Sequence, residues 1–490
     1  MEREKLVKRL KEICDFILDH QKEDGQIDLE EAHFIYPTGY NMRAMAAAYK
    51  ITRKEKYLNG ILKWLDLVFS QQNKDGSFWA STTQLENSYG RFVSDTTNGL
   101  NVVYNILPYL DEGRKEKYLS GLKKFVNWII KGEEGRSFIL ENGACGCGIY
   151  KDDKERGRPE CLECTAIALC TFLTPYYRIT KNTQYLQIAT RAVKYILSRQ
   201  ENNGIYPYIS KGMNVQAEGD RIIHILHYVL EGLVYYYEHS GIEFFDPLAV
   251  EIRQSIKKSC RWLVENQEEN GRWGKASSGN DAAKFGGLLL PLNWYLKMAP
   301  QEESYKEYEE KVKLSVEKAA KFLLSEEAIT EYGILKLIRQ NGFGGMALAE
   351  IIHPGITMEI GSSEKIEEVA EIKELFPIEI LKMLPEAESS FPGMKGWVHQ
   401  GEKTQVVFWY SKEGCICKEH FHSYPEWGIV VSGYTEVTIE GEKRIYYKGD
   451  SFFIPANARH SSKMSKNYRA IDIFASPSHI KVKKEVEYDN

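Results

Sequence analysis

A turn motif recurs through the N-terminal two-thirds of the chain and strongly limits how that region can fold. Each copy places Gln after a charged helical stretch, then acidic or amide residues and Gly, and a less charged helical stretch follows. Asp-Gly and Asn-Gly favour turns, and Gly accepts the left-handed backbone that ends a helix. Charged helices that alternate with apolar helices indicate an outer ring around an inner ring. The copies span residues 21–25, 72–76, 200–204 and 267–271.

The repeat predicts a ring of helical hairpins over residues 1–345. A further charged stretch at residues 303–324 predicts a sixth outer helix, so the ring is expected to be either incomplete or six-fold. Five less charged stretches are the predicted inner helices: residues 40–49, 96–110, 161–177, 222–238 and 282–297.

At residues 72–79 the motif takes the form Gln-x-x-Asp-Gly-Ser-Phe-Trp, which resembles the repeats of terpenoid-cyclase and prenyltransferase toroids. Toroids that act on sugars, such as glycan hydrolases, lyases and sugar 2-epimerases, share that architecture and similar turns. The resemblance implies an α/α toroid but does not select a reaction, since one fold supports many chemistries.

Polar residues at the entrances of the inner helices are expected to line the mouth of such a ring. Several acids and a histidine around one cavity suit general acid–base chemistry on a sugar. Acids at helix N-termini can instead cap backbone amides, and this alternative stays open for Asp95, Glu160, Asp220 and Asp281. The predicted catalytic residues are Asp95, Asp220 and His224, and the predicted substrate-binding residues are Tyr36, Tyr40, Glu160, Glu163 and Asp281.

Four cysteines in the middle of the helical region form two close pairs. Cys145 and Cys147 lie in a Gly-rich loop, and Cys161 and Cys164 lie three residues apart at a helix start. Four thiolates can hold a structural zinc ion, although this spacing is not a standard zinc motif. The alternative is that these cysteines are ordinary buried side chains, as we expect for Cys170 in the same helix.

The C-terminal region has the alternation of β-strands and contains a group of metal-ligand residues. His420 and His422 lie two residues apart and therefore project from the same face of a strand. Glu426 and His460 would complete the group from neighbouring strands. Imidazoles together with one carboxylate suit a first-row divalent metal with open coordination positions.

The spacing from Gly414 through this group to His460 resembles the two-part signature of the cupin superfamily. The second part departs from the family at two positions, with Asn457 where glycine is usual and Met464 where asparagine is usual. The resemblance implies a double-stranded β-helix barrel over residues 376–490. It also implies one divalent ion, Zn, Fe, Mn, Ni or Co, and a possible homodimer through the barrel. The implied ligands are His420, His422, Glu426 and His460.

Residues 346–375 are expected to form a linker between the two regions. Phe343-Gly344-Gly345 and His353-Pro354-Gly355 are expected to interrupt regular structure there.

Composition narrows the possible partners and location. A net charge of −5 and a pI near 6.2 argue against a nucleic-acid partner. The sequence has no apolar run of membrane-spanning length and starts with charged residues, so no membrane contact is expected. Nine cysteines without a secretion signal indicate reduced thiols and a cytoplasmic protein.

The favoured function is a metal-dependent carbohydrate-processing enzyme of the isomerase, epimerase, hydrolase or lyase type. Its substrate would be a small molecule or an oligosaccharide. Cupins of this length include sugar isomerases and enzymes that open unsaturated uronates released by toroidal hydrolases and lyases. A fusion would therefore place successive steps on one chain.

Three alternatives remain. One is a sugar- or ligand-binding regulatory protein without catalysis, and another is an iron-dependent cupin oxygenase. The third is a terpenoid-cyclase-like enzyme, which is disfavoured because residues 152–155 (Asp-Asp-Lys-Glu) poorly match a diphosphate-binding Asp-Asp-x-x-Asp run.

Overall fold

The computed structural model describes residues 3–29, 34–81, 88–209, 221–273, 285–300, 303–360, 384–389 and 391–483. The chain forms two compact units, Met1–Ser363 and Glu364–Asn490. The expected boundaries at residues 345 and 375 stay predictions. Asp220 and Asp281 lie outside the described residues.

The first unit consists of helices in two layers. Outer helices bury one face, whereas most residues of inner helices such as α2 and α16 are buried. The outer helices are α1 (Arg3–Asp19), α3 (Glu55–Ser70), α6 (Glu112–Lys131), α9 (Thr183–Leu197), α11 (Pro247–Glu265) and α14 (Glu309–Leu324). The inner helices are α2 (Ile35–Thr52), α4 (Val93–Leu100) with α5 (Val102–Ile106), α7 (Leu162–Cys164) running through the π-helical segment Thr165–Phe172 into α8 (Leu173–Thr180), α10 (Ile222–His239), α12 (Phe285–Met298) and α16 (Ile338–Ile352).

Shorter elements connect these helices. They are β1 (Gly90–Phe92), the 3₁₀ turn Leu107–Tyr109, β2 (Gly148–Tyr150), α13 (Glu303–Lys306) and α15 (Glu326–Thr330). Strands β1 and β2 pair in antiparallel fashion on the approach to α4.

The repeated Gln and Gly join neighbouring outer helices. Gln72 Nε2 donates to the carbonyl oxygens of Gly76 in its own turn and Gly121 in the next outer helix, each at 2.9 Å. Gly76 has φ +93°, and a Cβ there would lie 2.4 Å from the Lys124 carbonyl oxygen. Glycine is therefore required both by its backbone conformation and by the close approach of the next helix. The same two-carbonyl bridge occurs at Gln21, Gln200 and Gln267.

The ring is six-fold, because α16 is a sixth inner helix that packs between α12 and α2. The expectation that Phe343-Gly344-Gly345 interrupts regular structure is wrong, since these residues lie inside α16. A Cβ on Gly345 would lie 2.8 Å from Ala44 Cβ, and a Cβ on Gly342 would lie 2.7 Å from Tyr40 Cβ. The glycines thus permit two inner helices to approach closely, and burial of the helix offsets their low helix propensity.

The second unit is an antiparallel barrel of two facing sheets. Its strands are β3 (Met394–Gln400), β4 (Gln405–Ser411), β5 (Ile416–His420), β6 (Glu426–Ser432), β7 (Tyr434–Ile439), β8 (Glu442–Tyr447), β9 (Ser451–Ile454), β10 (His460–Met464) and β11 (Tyr468–Phe474). The sheet orders are β5-β10-β7-β8 and β3-β4-β11-β6-β9. Glu440 and Gly441, both with positive φ, form the tight β7–β8 hairpin.

Candidate functional sites

Asp95 is a partly buried acid at the start of α4. Its carboxylate accepts hydrogen bonds from the Tyr89 hydroxyl at 3.2 Å and the Ser94 hydroxyl at 3.5 Å. Phe92 is the N-cap residue of α4 and makes no side-chain cap. Burial, and secondly the nearby Glu163 carboxylate, raise the pKa of Asp95 to about 6. Asp95 therefore carries a proton at a higher pH than an ordinary aspartate.

His224 and Glu163 form a hydrogen-bonded pair. His224 Nε2 lies 2.8 Å from Glu163 Oε2, and both side chains are largely buried. Because a carboxylate only accepts hydrogen bonds, Nε2 carries the proton and Nδ1 holds the lone pair. The buried Nδ1 has no hydrogen-bond partner among the described residues. Aromatic rings of Tyr208 and Tyr228 pack edge-on against the imidazole.

Two tyrosines and an arginine lie near Asp95 and His224. The hydroxyls of Tyr36 and Tyr228 are 2.6 Å apart, and the Arg339 guanidinium lies 5.5 Å from the centre of the Tyr36 ring. The charge of Arg339 also acts on Asp95, where it favours the ionised form. Arg339 is the second residue of α16, so the unpredicted sixth inner helix contributes a cation to the mouth.

The other predicted mouth residues have different surroundings. Tyr40 is fully buried and its hydroxyl donates to Asn98 Oδ1 at 2.9 Å, within the inner ring. Glu160 accepts hydrogen bonds from Asn142 at 3.0 Å and from Tyr195 of the outer helix α9 at 3.2 Å. The structure thus brings Asp95, Glu163, His224 and Tyr36 together around one site.

In the second unit, side chains from three strand ends form a compact donor group. Ligand atoms of His422, Glu426 and His460 all lie within 4.8 Å of one another, and the three residues are buried. Glu426 begins β6 and His460 begins β10, while His422 follows β5. His420 ends β5 opposite His460 in the strand register, with the two ring centres 4.2 Å apart.

The hydrogen bonds of these histidines direct their Nε2 lone pairs into the group. Nδ1 of His422 contacts the Tyr424 carbonyl, and Nδ1 of His460 contacts the Ala458 carbonyl at 3.0 Å. A carbonyl only accepts, so Nδ1 is the protonated nitrogen, an arrangement typical of metal-binding histidines.

The contact between His422 and Glu426 needs a proton or a metal ion between its two polar atoms. His422 Nε2 lies 3.0 Å from Glu426 Oε2, so two acceptors face each other unless a proton or a metal ion lies between them. Without a metal, this hydrogen bond to Glu426 raises the pKa of His422, whereas burial lowers the pKa of His460. These three residues therefore fit a divalent cation, whereas His420 lies beside His460 but outside the group of mutually close ligand atoms.

The donor group opens into a cavity of about 240 Å³ whose lining includes Asp472 and His479. Burial, and secondly the Glu426 charge, raise the pKa of Asp472 well above its usual range. His479 stacks on Phe474, contacts the Tyr424 hydroxyl at 2.6 Å, and has its pKa lowered to about 4 by burial.

Sequence reasoning missed both residues. For Asp472 a signal existed, because it is an acid at an inward position of β11 between Ala470 and Phe474. For His479 no local pattern gave a signal.

Residues 407–473 match the family description "Cupin domain". The C-terminal unit contains a cupin domain. Among solved structures, KdgF from Halomonas sp. is similar at 28% identity over 19% of this chain and 86% of that chain, with a TM-score of 0.18. No curated protein matches the chain.

The helical unit resembles solved toroids. A possible member of the GH105 family from Salmonella enterica serovar Paratyphi A matches at 13% identity over 72% of this chain and 94% of that chain, with a TM-score of 0.51. A polysaccharide lyase matches at 13% identity over 72% of this chain and 98% of that chain, with a TM-score of 0.50. At this identity the likeness concerns the fold, which is the predicted α/α toroid.

The two departures from the cupin signature are both accommodated. Asn457 has φ +66°, in the left-handed region that usually selects glycine. Asparagine tolerates that conformation better than most residues, and its backbone amide donates to the His422 carbonyl at 2.7 Å. Met464 ends β10 and lines the cupin cavity, so the departure there changes the cavity surface.

Two further expectations concern the Asp-Asp-Lys-Glu run at residues 152–155 and contact with a membrane. Asp152 pairs with Arg156 in an exposed turn, so its carboxylate already has a partner outside the mouth. No helix of the described residues is long and apolar enough to cross a membrane.

Proposed function

We propose that the chain is a carbohydrate-processing enzyme with two reactions. The toroid mouth would hydrolyse an oligosaccharide that contains a uronate, and the cupin cavity would convert a small sugar product. One observation carries the proposal, namely an acid with a raised pKa, Asp95, beside the oriented pair Glu163–His224.

In the mouth, Asp95 is the proposed general acid. A protonated carboxyl donates its proton to the glycosidic oxygen while the bond from that oxygen to the sugar carbon breaks. His224 is the proposed base, and its Nδ1 takes a proton from the attacking water, whose oxygen forms the new bond to carbon. Glu163 accepts the hydrogen bond from Nε2, fixes the tautomer and stabilises the imidazolium.

The surroundings favour an acidic sugar. Arg339 supplies a guanidinium that can pair with a carboxylate through two hydrogen bonds. Tyr36, Tyr89 and Tyr208 provide flat apolar faces with polar tips, which suit a pyranose ring. The two similar solved structures agree with a carbohydrate substrate, since one is a possible member of the GH105 family and the other is a polysaccharide lyase.

The cupin cavity suits a smaller substrate. Its volume of about 240 Å³ lies below the range typical of drug-sized ligands, so it accepts a monosaccharide more readily than an oligosaccharide. His422, Glu426, His460 and the adjacent His420 would hold a divalent ion, which polarises a carbonyl or hydroxyl oxygen when bound. Asp472 lines the same cavity and would exchange a proton with the substrate.

The test uses the full-length chain, loaded with each candidate metal, on a panel of oligouronides. Reducing ends measure cleavage by either route, and ultraviolet absorbance measures the unsaturated ends that only elimination creates. We expect Asp95→Asn to lower kcat about 10²- to 10⁴-fold, and Glu426→Gln to leave cleavage intact while abolishing conversion of the monosaccharide. Glu310→Gln, an exposed carboxylate on α14, is the matched control that keeps both activities.

Two results would contradict the proposal. Tight sugar binding without turnover on any substrate, with metal in place, would favour the regulatory alternative. New unsaturated ends without consumption of water would show elimination rather than hydrolysis.

A further inference from the structure

Three buried thiols meet beside the mouth. The sulfur atoms of Cys147, Cys161 and Cys164 all lie within 4.8 Å of one another. They pack in a small cluster of their own with Ala80 and Phe92, apart from the main helical core. A tetrahedral zinc ion with Zn–S bonds of about 2.3 Å needs sulfur atoms about 3.8 Å apart, so these positions require only a small contraction.

Cys145 is separate from this group although it is close in sequence. Its side chain belongs to the main core, and its sulfur lies 3.3 Å from the Gly146 carbonyl oxygen. The four-thiolate arrangement that the sequence left open is therefore reduced to three thiols. Cys145 contributes instead through its backbone, whose carbonyl oxygen accepts from the Cys161 amide at 3.0 Å.

We propose that Cys147, Cys161 and Cys164 bind one zinc ion as thiolates, with a small non-protein ligand such as water in the fourth position. Soft thiolate donors select zinc over hard cations such as magnesium. Binding releases the thiol protons to solvent, so affinity rises with pH.

The ion would join the segment that precedes β2 to the start of the third inner helix. Cys147 precedes β2, and its carbonyl accepts from the Val93 amide at the start of α4 at 2.8 Å. Cys161 and Cys164 flank Glu163 at the start of the third inner helix. Zinc would thus hold the helix start that carries Glu163, which makes these cysteines positioning residues for the mouth. This consequence rests on the proposed function, whereas zinc binding itself does not.

The experiment separates this ion from the cupin metal. Full-length protein carrying His422→Ala and His460→Ala is loaded with zinc or cobalt under reducing conditions and freed of excess metal. We expect about one retained equivalent by elemental analysis, and a thiolate-to-cobalt charge-transfer band. Adding Cys147→Ser or Cys164→Ser should remove both signals. Cys145→Ser and Cys170→Ser, which replace buried cysteines outside the group, should keep them.

The cobalt band is measured with all nine cysteines present, so it does not depend on the folding of any cysteine variant. Absence of bound metal in the reduced double variant would overturn the proposal, as would a disulfide among the three cysteines. Loss of the signal in Cys145→Ser, with helicity unchanged, would refute the three-thiol assignment. Failure to cleave any sugar would refute the proposed function but leave the metal count as expected.

Discussion

The raised pKa of Asp95 has a thermodynamic consequence that can be measured without a substrate. The folded protein holds the proton until about pH 6, whereas an ordinary aspartate releases it near 3.8. Between these values the folded state binds more protons than the unfolded state, so the free energy of unfolding falls as pH rises. Above pH 6 the free energy of unfolding has therefore fallen by about 3 kcal/mol, because each pH unit between the two pKa values lowers it by roughly 1.36 kcal/mol.

Asp95→Asn removes this titration, since an amide has no proton to lose. The free energy of unfolding of the variant, minus that of the wild type, should therefore rise by about 2–3 kcal/mol between pH 4 and pH 8. Unfolding of the helical unit by denaturant, followed by circular dichroism at several pH values, gives this difference. When Asp95→Asn is introduced into a Glu163→Gln variant, the rise should be smaller, because the Glu163 charge is the second cause of the raised pKa of Asp95.

Asp111→Asn provides a control of opposite sign. The Asp111 carboxylate accepts from the Arg114 amide, and this hydrogen bond lowers the pKa of Asp111. Replacement of Asp111 should therefore become more destabilising as pH rises towards the usual aspartate value, and the loss should stay constant above it. A pH-independent difference for Asp95→Asn would refute the burial argument and with it the acid role proposed for Asp95.

Three further predictions concern the metal group, the repeat and the ring core. Glu426→Gln should weaken metal binding at least about tenfold in a metal titration, because a neutral amide replaces the anionic donor; unchanged affinity would exclude Glu426 as a ligand. Gly271→Ala should lower stability by about 2 kcal/mol or more, since φ is +96° and the new Cβ would lie 2.1 Å from the Lys318 carbonyl oxygen; equal stability in denaturant would show that the turn relaxes. Glu231→Leu should cost about 3–5 kcal/mol because it leaves the buried Arg43 charge without its ion pair, and adding Arg43→Met should restore most of this loss; no recovery in the double variant would contradict that explanation.

Local patterns were sufficient to predict both domain types. The Gln and Gly of the turns perform the same two-carbonyl bridge at Gln72 and at three other copies, so a repeated local geometry produced a repeated sequence. The group at His422, Glu426 and His460 was also found, because these residues occupy the ligand positions of the cupin signature. The alternation that revealed the strands also placed Asp472 inward, although its role was not recognised.

The tertiary structure decided features that depend on contacts between distant segments. Gly342 and Gly345 resemble helix breakers in isolation, yet their lack of a side chain lets α16 pack against α2 and close the ring. That closure brings Arg339 to the mouth, which no local pattern indicates.

The raised pKa of Asp95 and the separation of Cys145 from the other thiols have the same origin. Sequence spacing determines which residues share a face of one helix or strand. Burial and the charge of a partner from another helix exist only after the ring has formed. The sequence therefore determined the two folds and the kinds of residues available for chemistry, whereas the packed ring determined which of them meet and in which protonation state.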